Sequence, residues 1–165
     1  MPVTVKGALE LRKALRQFSP DLGKETTREI SAVLKPLAAK ARGFAPAVPL
    51  SGWMKSEKNR GRYAYSLTEV KRGIGYKTTP SKPNSRGFVA LAQVNNKSAA
   101  GAVYETAGRK TSGGNFVPRL PALVDTPAGK GRLIYKAWNE DQGKATAAVL
   151  KAIETAAAKL NASAK

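Results

Sequence analysis

Apolar residues at helical spacing near both ends of this chain bracket a middle rich in glycine and proline, and this arrangement restricts the fold more than any other feature. Between 20 and 42, Ile30, Val33, Leu34, Leu37 and Ala41 follow the three-four rhythm of a buried helical stripe. Ser19-Pro20-Asp21 supplies its start: a capping hydroxyl, a proline suited to the first helical position, and an acid at the positive helix end. Pro36 lies inside this run and predicts a kink there or a break near Leu34. A shorter amphipathic helix precedes it over 6–18, with Leu11, Leu15 and Phe18 on its stripe and Leu22 continuing it. At the other end Asn139-Glu140-Asp141 reads as a helix start. Val149, Ile153, Ala156, Ala157 and Leu160 then form the buried face of a helix over 139–161, whose alanines favour helix and close packing.

Gly43-Phe44-Ala45-Pro46 ends the helical region 1–44. Residues 45–62 form a linker loop, expected to be long and mobile, with Pro46, Pro49 and Gly52 ahead of a basic run. Over 63–79 the order Tyr63, Tyr65, Leu67, Val70, Ile74, Tyr76 gives an imperfect alternation interrupted by Gly73 and Gly75. Thr79-Pro80-Ser81-Lys82-Pro83-Asn84 is a turn, and Phe88, Ala90, Ala92 and Val94 fall on one face of a strand. Residues 63–97 are therefore predicted to form an antiparallel β-hairpin. Residues 98–138 hold a short helix over 98–107, then a loop over 108–131 containing Gly108, Gly113, Gly114, Pro118, Pro121, Pro127, Gly129 and Gly131, and a short apolar run over 133–138. The expected architecture is one α+β domain over 1–165, with N-terminal helices and a C-terminal helix packed on a small antiparallel β-sheet with long loops.

Composition removes several function classes. The 165 residues include no cysteine and no histidine, which excludes disulfides, thiol nucleophiles, imidazole acid–base chemistry and the usual zinc ligand sets. Gly108-Arg109-Lys110-Thr111 resembles a phosphate loop only superficially, because Arg109 separates the glycine from the lysine and no glycine stands four residues upstream. No nucleophile with its base can be named, so the expectation is a protein with no catalytic, cofactor-binding or metal-binding residues. No apolar run approaches the roughly 20 residues that span a bilayer, so no membrane is expected. The first 18 residues mix Lys6, Arg12, Lys13 and Arg16 with Glu10 and do not read as a signal peptide, so cytosolic synthesis is expected.

The net charge is +18, from 29 basic and 11 acidic residues. The excess is concentrated in 45–135, where fifteen basic residues face four acidic ones. Such a balance favours anionic partners: nucleic acid, acidic lipid or an acidic protein face. Lys55, Lys58, Arg60, Arg62, Lys71, Arg72, Lys77, Lys82 and Arg86 are the candidates for a basic surface, interleaved with Trp53, Tyr63, Tyr65 and Tyr76. This pattern serves either a nucleic-acid-binding module or a surface turned to an acidic protein neighbour or to solvent. Trp53 and Met54, in a polar loop, and Tyr104, Glu105 and Arg109, at the end of the short helix, are the candidates for a subunit interface. For Glu105 alone, a carboxylate paired with one of the many cations is the simplest reading.

The order of these elements resembles the small neck or tail-completion proteins of long-tailed bacteriophages, the tail-component family. The resemblance rests on Ala45-Pro46 after a long helix, then Ser51-Gly52-Trp53-Met54, then the hairpin. It continues in Ala99-Ala100-Gly101-Ala102-Val103-Tyr104-Glu105-Thr106-Ala107-Gly108 and in Leu133-Ile134-Tyr135-Lys136-Ala137-Trp138 ahead of the last helix. It spans residues 9–160; the long linker and the basic, glycine-rich loop at 108–121 depart from the family pattern. What it implies is a structural virion protein without catalytic residues, located in the neck or tail after assembly in the host cytoplasm. It further implies a homo-oligomeric ring, with a hexamer as one expectation. Partners would be other neck, tail-terminator or tail-tube proteins, and DNA would pass through the lumen.

Overall fold

The computed structural model describes residues 7–85, 87, 89–110, 116–127 and 129–163. Among these the fold is α+β, with six α-helices and two small two-stranded antiparallel sheets. The chain divides into two compact units, each assembled from separated segments. Unit 1 draws on Met1–Lys35, Tyr76–Gln93 and Gly143–Lys165, and unit 2 on Pro36–Gly75 and Val94–Gln142.

In unit 1, helix α1 (Ala8–Phe18) buries Leu11, Ala14 and Leu15. Phe18, expected on that stripe, is 59% exposed because it is the last helical residue before the chain restarts at Pro20. Helix α2 (Pro20–Gly43) begins with the predicted proline and Asp21, and Pro36 lies inside it without ending it. Helix α6 (Lys144–Ser163) sets Ala156 and Leu160 against Leu11 and Leu15, with Leu22, Ile153 and Ala157 at the margin. Spacing of three and four residues on both helices makes this contact, and a Lys159–Glu25 ion pair at 2.8 Å flanks it in solvent.

Unit 2 departs from the sequence expectation in three places. Residues 67–73 are not strand: they form helix α3 (Leu67–Gly73), and only Ile74–Lys77 (β1) is extended. The cause is local. Ser66-Leu67-Thr68-Glu69 has the sequence of a capping box, and the Ser66 hydroxyl caps the helix by accepting the Glu69 N–H at 3.4 Å. Leu67, Val70 and Ile74 stand at helical spacing, and Val70 and Ile74 are fully buried. Removing the cap in Ser66→Ala is expected to lower stability by about 1 kcal/mol in a urea melt, with Ser66→Asp nearly neutral.

The predicted hairpin over 63–97 therefore shrinks to β1 paired with β2 (Gln93–Asn96). Phe88 lies outside the described residues. Residues 89–92 are not strand, because α3 leaves β1 only four residues to offer as a partner. Instead Ser81 clasps Ala90: its N–H donates to the Ala90 carbonyl at 2.8 Å and its hydroxyl accepts the Ala90 N–H at 2.9 Å.

Helix α4 (Ala99–Thr106) forms as predicted, capped by the Ser98 hydroxyl on the Gly101 N–H. The loop predicted over 108–131 contains a short hairpin of β3 (Val124–Thr126) and β4 (Gly129–Gly131). The apolar run after it is helix α5 (Ile134–Asp141). Asn139-Glu140-Asp141 thus ends a helix rather than starting one: Gln142 and Gly143 take the left-handed conformation (φ 53° and 78°), and α6 restarts at Lys144.

Candidate functional site

The interface candidates Trp53, Met54, Tyr104 and Glu105 meet inside unit 2. Ser51–Trp53 forms a single 3-10 turn. The next residues form one parallel bridge, Met54 with Tyr65: the Trp53 carbonyl accepts the Tyr65 N–H at 2.7 Å, and the Lys55 N–H donates to the Tyr65 carbonyl at 2.8 Å. These two bonds close the basic loop between them. Asn59 braces it from within, its amide donating to the Met54 carbonyl at 3.1 Å.

The bridge places Trp53 against three other rings. Its centroid lies 5.3 Å from Tyr65, 6.5 Å from Tyr104 and 5.1 Å from Phe116, and Tyr65 and Tyr104 are 6.1 Å apart. Such offset and edge contacts are the favoured geometries for aromatic pairs. Both polar tips are satisfied: the indole N–H donates to the Tyr63 carbonyl, and the fully buried Tyr65 hydroxyl donates to the Pro46 carbonyl at 2.7 Å. Burial raises the Tyr65 phenol to about 12, with nearby Tyr104 adding to it. The Tyr104 phenol is also raised by burial, opposed by Arg132 and reinforced by Glu105. Because the folded chain holds the Tyr65 proton more tightly than the unfolded chain, this contribution is complete below about pH 10 and is lost as pH rises to about 12. Alkaline denaturation is expected to coincide with Tyr65 ionisation at 295 nm, and Tyr65→Phe is expected to uncouple the two.

Beneath the rings lies a reciprocal clamp. The Glu105 carboxylate is 5% exposed and accepts four backbone N–H groups. Oε2 takes those of Arg132, at 3.1 Å, and Leu133; Oε1 takes those of Ile134 and Tyr135, both at 3.0 Å. Those of Leu133, Ile134 and Tyr135 are donors that the start of α5 leaves without helical partners, and a negative charge suits that helix end. In return the Arg132 guanidinium, also 5% exposed, closes the end of α4. Its Nη1 donates to the carbonyls of Tyr104 and Ala107 at 2.9 and 2.8 Å, and its Nε donates to that of Pro121. It also lies 5.8 Å over the Tyr104 ring. Burial lowers the Arg132 pKa, and Tyr104 and Glu105 counter that. Gly131 is part of the clamp: a Cβ there would collide with Glu105 Oε1 and Tyr135 Cδ2. Every lone pair of Glu105 that faces a donor is engaged with backbone, so its evident role is to hold α5 on α4.

Arg109 is exposed, donates to the Lys130 carbonyl and lies 4.7 Å over the Tyr135 ring. Of the basic candidates, Lys55 is paired with Glu69 at 2.6 Å. Lys58, Arg60, Arg62, Lys71, Arg72, Lys77 and Lys82 are exposed, and Arg86 lies outside the described residues. Sequence reading missed Tyr65, Phe116, Gly131 and Arg132 as members of the site. Only Gly131-Arg132 ahead of an apolar run carried any signal, and its partner Glu105 stands 27 residues away. Among the described residues no group of three or more acidic residues is placed to hold a metal ion, and no helix is long and apolar enough to cross a membrane.

In comparisons with known proteins, no family model, no curated protein and no solved structure matches the chain.

Proposed function

We propose that the chain is a structural subunit of a long-tailed phage particle, a ring-forming protein that joins head and tail or completes the tail. One observation carries this reading. Four short segments on which the resemblance rests, spread between residues 45 and 138, are joined to one another in unit 2. Pro46 is bonded by the Tyr65 hydroxyl and Trp53 packs on Tyr104. Glu105 then binds the first N–H groups of the segment that begins at Leu133. These segments lie in one packed unit, and the cations Lys58, Arg60 and Arg62 on the loop it closes are exposed to neighbours. The partners on this reading are sister copies in a ring and the adjoining neck, tail-terminator or tail-tube proteins.

Gold-labelled antibody against the chain tests it on purified particles by electron microscopy. Label is expected at the neck or the tail end; particles that lack the protein would overturn the proposal. A nucleic-acid-binding module is the second reading, favoured by the exposure of Lys58, Arg60, Arg62, Lys71, Arg72, Lys77 and Lys82. Its mark is a gel shift at low salt that collapses steeply as salt rises.

A further inference from the structure

An open cleft of about 480 Å³ lies on unit 2, lined by Leu50, Ser51, Gly52, Trp53, Phe116 and Arg119. That volume falls within the roughly 300–1,000 Å³ of ligand-holding sites. Leu50, Trp53 and Phe116 are only partly buried, so apolar and ring surface is available in it. Trp53 and Phe116 stand edge to face, 5.1 Å apart, and make an aromatic corner. Buried Tyr65 and Tyr104 pack on the indole and fix its orientation. Arg119 brings an exposed guanidinium to the same cleft. The basic loop is tied to this lining at two points. The Asn59 amide reaches the Gly52 carbonyl at 3.5 Å, and the Trp53 indole donates to the Tyr63 carbonyl. Each tied residue is flanked by cations: Lys58 and Arg60 beside Asn59, and Arg62 beside Tyr63. All three are exposed, and the Tyr63 side chain between the loop and the cleft is exposed at 59%. Over 54–65 they stand with one acid, Glu57, while Lys55 is already paired with Glu69.

We infer that this cleft and the loop tied to it bind single-stranded nucleic acid, with one base on the Trp53–Phe116 corner, another on Tyr63, and phosphates on Arg60, Arg62 and Arg119. Rings with accessible surface set among arginines match a strand that offers a flat base and an anionic phosphate at every step. The planar guanidinium suits both: it forks onto phosphate oxygens and stacks on rings. A duplex keeps its bases stacked, and a base must leave that stack to reach rings set in a recess. An acidic peptide engages the same arginines, but its carboxylates leave the ring faces unused. This assignment rests on the second reading above, nucleic-acid binding, and narrows it to a single strand and a named site. It is independent of a place in a phage ring.

The test titrates the full chain into fluorescein-labelled dT20 and rU20, followed by anisotropy at about 50 mM salt. Saturable binding of at least one strand is expected, falling steeply as salt rises. The double variant Tyr63→Ala, Arg119→Glu changes two exposed side chains, so its circular dichroism spectrum should match the parent's. It is expected to bind about tenfold more weakly, or worse. Arg119→Glu alone should show part of that loss. Lys151→Glu, an equal change of charge at an exposed position of α6 in unit 1, should alter binding by less than about twofold. An abasic strand of the same length, which keeps the phosphates and lacks the bases, should bind about tenfold more weakly than dT20. Binding of neither strand would overturn the inference together with the nucleic-acid reading. Equal binding by the double variant, equal binding of the abasic strand, or an equal loss in Lys151→Glu would overturn the inference and leave that reading standing. So would a duplex that binds as tightly as the single strand and loses as much in the double variant. Polyglutamate or phosphatidylglycerol vesicles displacing the labelled strand as effectively as unlabelled dT20 would overturn it in favour of an acidic protein face or a lipid surface.

Discussion

Glu105→Ala is expected to destabilise unit 2 by about 3–5 kcal/mol, the range for removing one partner of a buried charged cluster. The side chain is 5% exposed and is the acceptor for four consecutive N–H groups, those of residues 132–135. Alanine leaves these donors without a carboxylate and leaves the buried Arg132 guanidinium without one of the two groups, Tyr104 and Glu105, that counter its burial. For a chain of this size the loss corresponds to roughly 10 °C in melting temperature. Hydrogen exchange localises it: the amides of 132–135 lose protection while those of α1 and α6, in unit 1, keep theirs. Glu105→Gln recovers only part, because it replaces one acceptor oxygen with a donor facing two N–H groups. An unchanged melt in Glu105→Ala would contradict the clamp.

Trp53→Ala is expected to cost about 2–4 kcal/mol in the isolated chain, less than for a fully buried indole because Trp53 is half-buried. The indole contacts Tyr65, Tyr104 and Phe116 and donates to the Tyr63 carbonyl, so alanine opens a void beside the fully buried Tyr65 and leaves that exposed carbonyl to water. Trp53→Phe keeps most of the ring contact and should cost less than half as much. Near-ultraviolet circular dichroism reports the loss of the packed cluster. If Trp53 acted only against another subunit, neither substitution would move the melt of the isolated chain.

These two residues also mark how far the sequence could be read. Trp53 and Glu105 were both recognisable as special, the one as a large ring in a polar loop, the other as a carboxylate among apolar residues. What they touch was not, because their partners lie far along the chain: Trp53 meets Phe116, and Glu105 meets 132–135. The helices with local signals were legible. Ser98 caps α4, Ser19-Pro20 opens α2, and three-four spacing gives the buried faces of α2 and α6. Helix α3 was also written locally, in Ser66 and Glu69, but the alternation of Tyr63, Tyr65 and Leu67 masked it. Helix α5 had no local start signal, since its cap is supplied by Glu105 from 27 or more residues upstream. Asn139-Glu140-Asp141 has the composition of a helix start, yet Glu140 instead pairs with Lys40 at 2.9 Å and the left-handed Gln142-Gly143 step ends the helix.

On the proposed function, the chain makes contact as one of a small ring of copies. Quantitative mass spectrometry of purified phage particles, counting this chain against the major tail protein, tests it most directly. A low, fixed copy number per particle, the same in every preparation and equal to the order of a single ring, is the predicted result. Absence from the particles, or a copy number that varies between preparations, would contradict it.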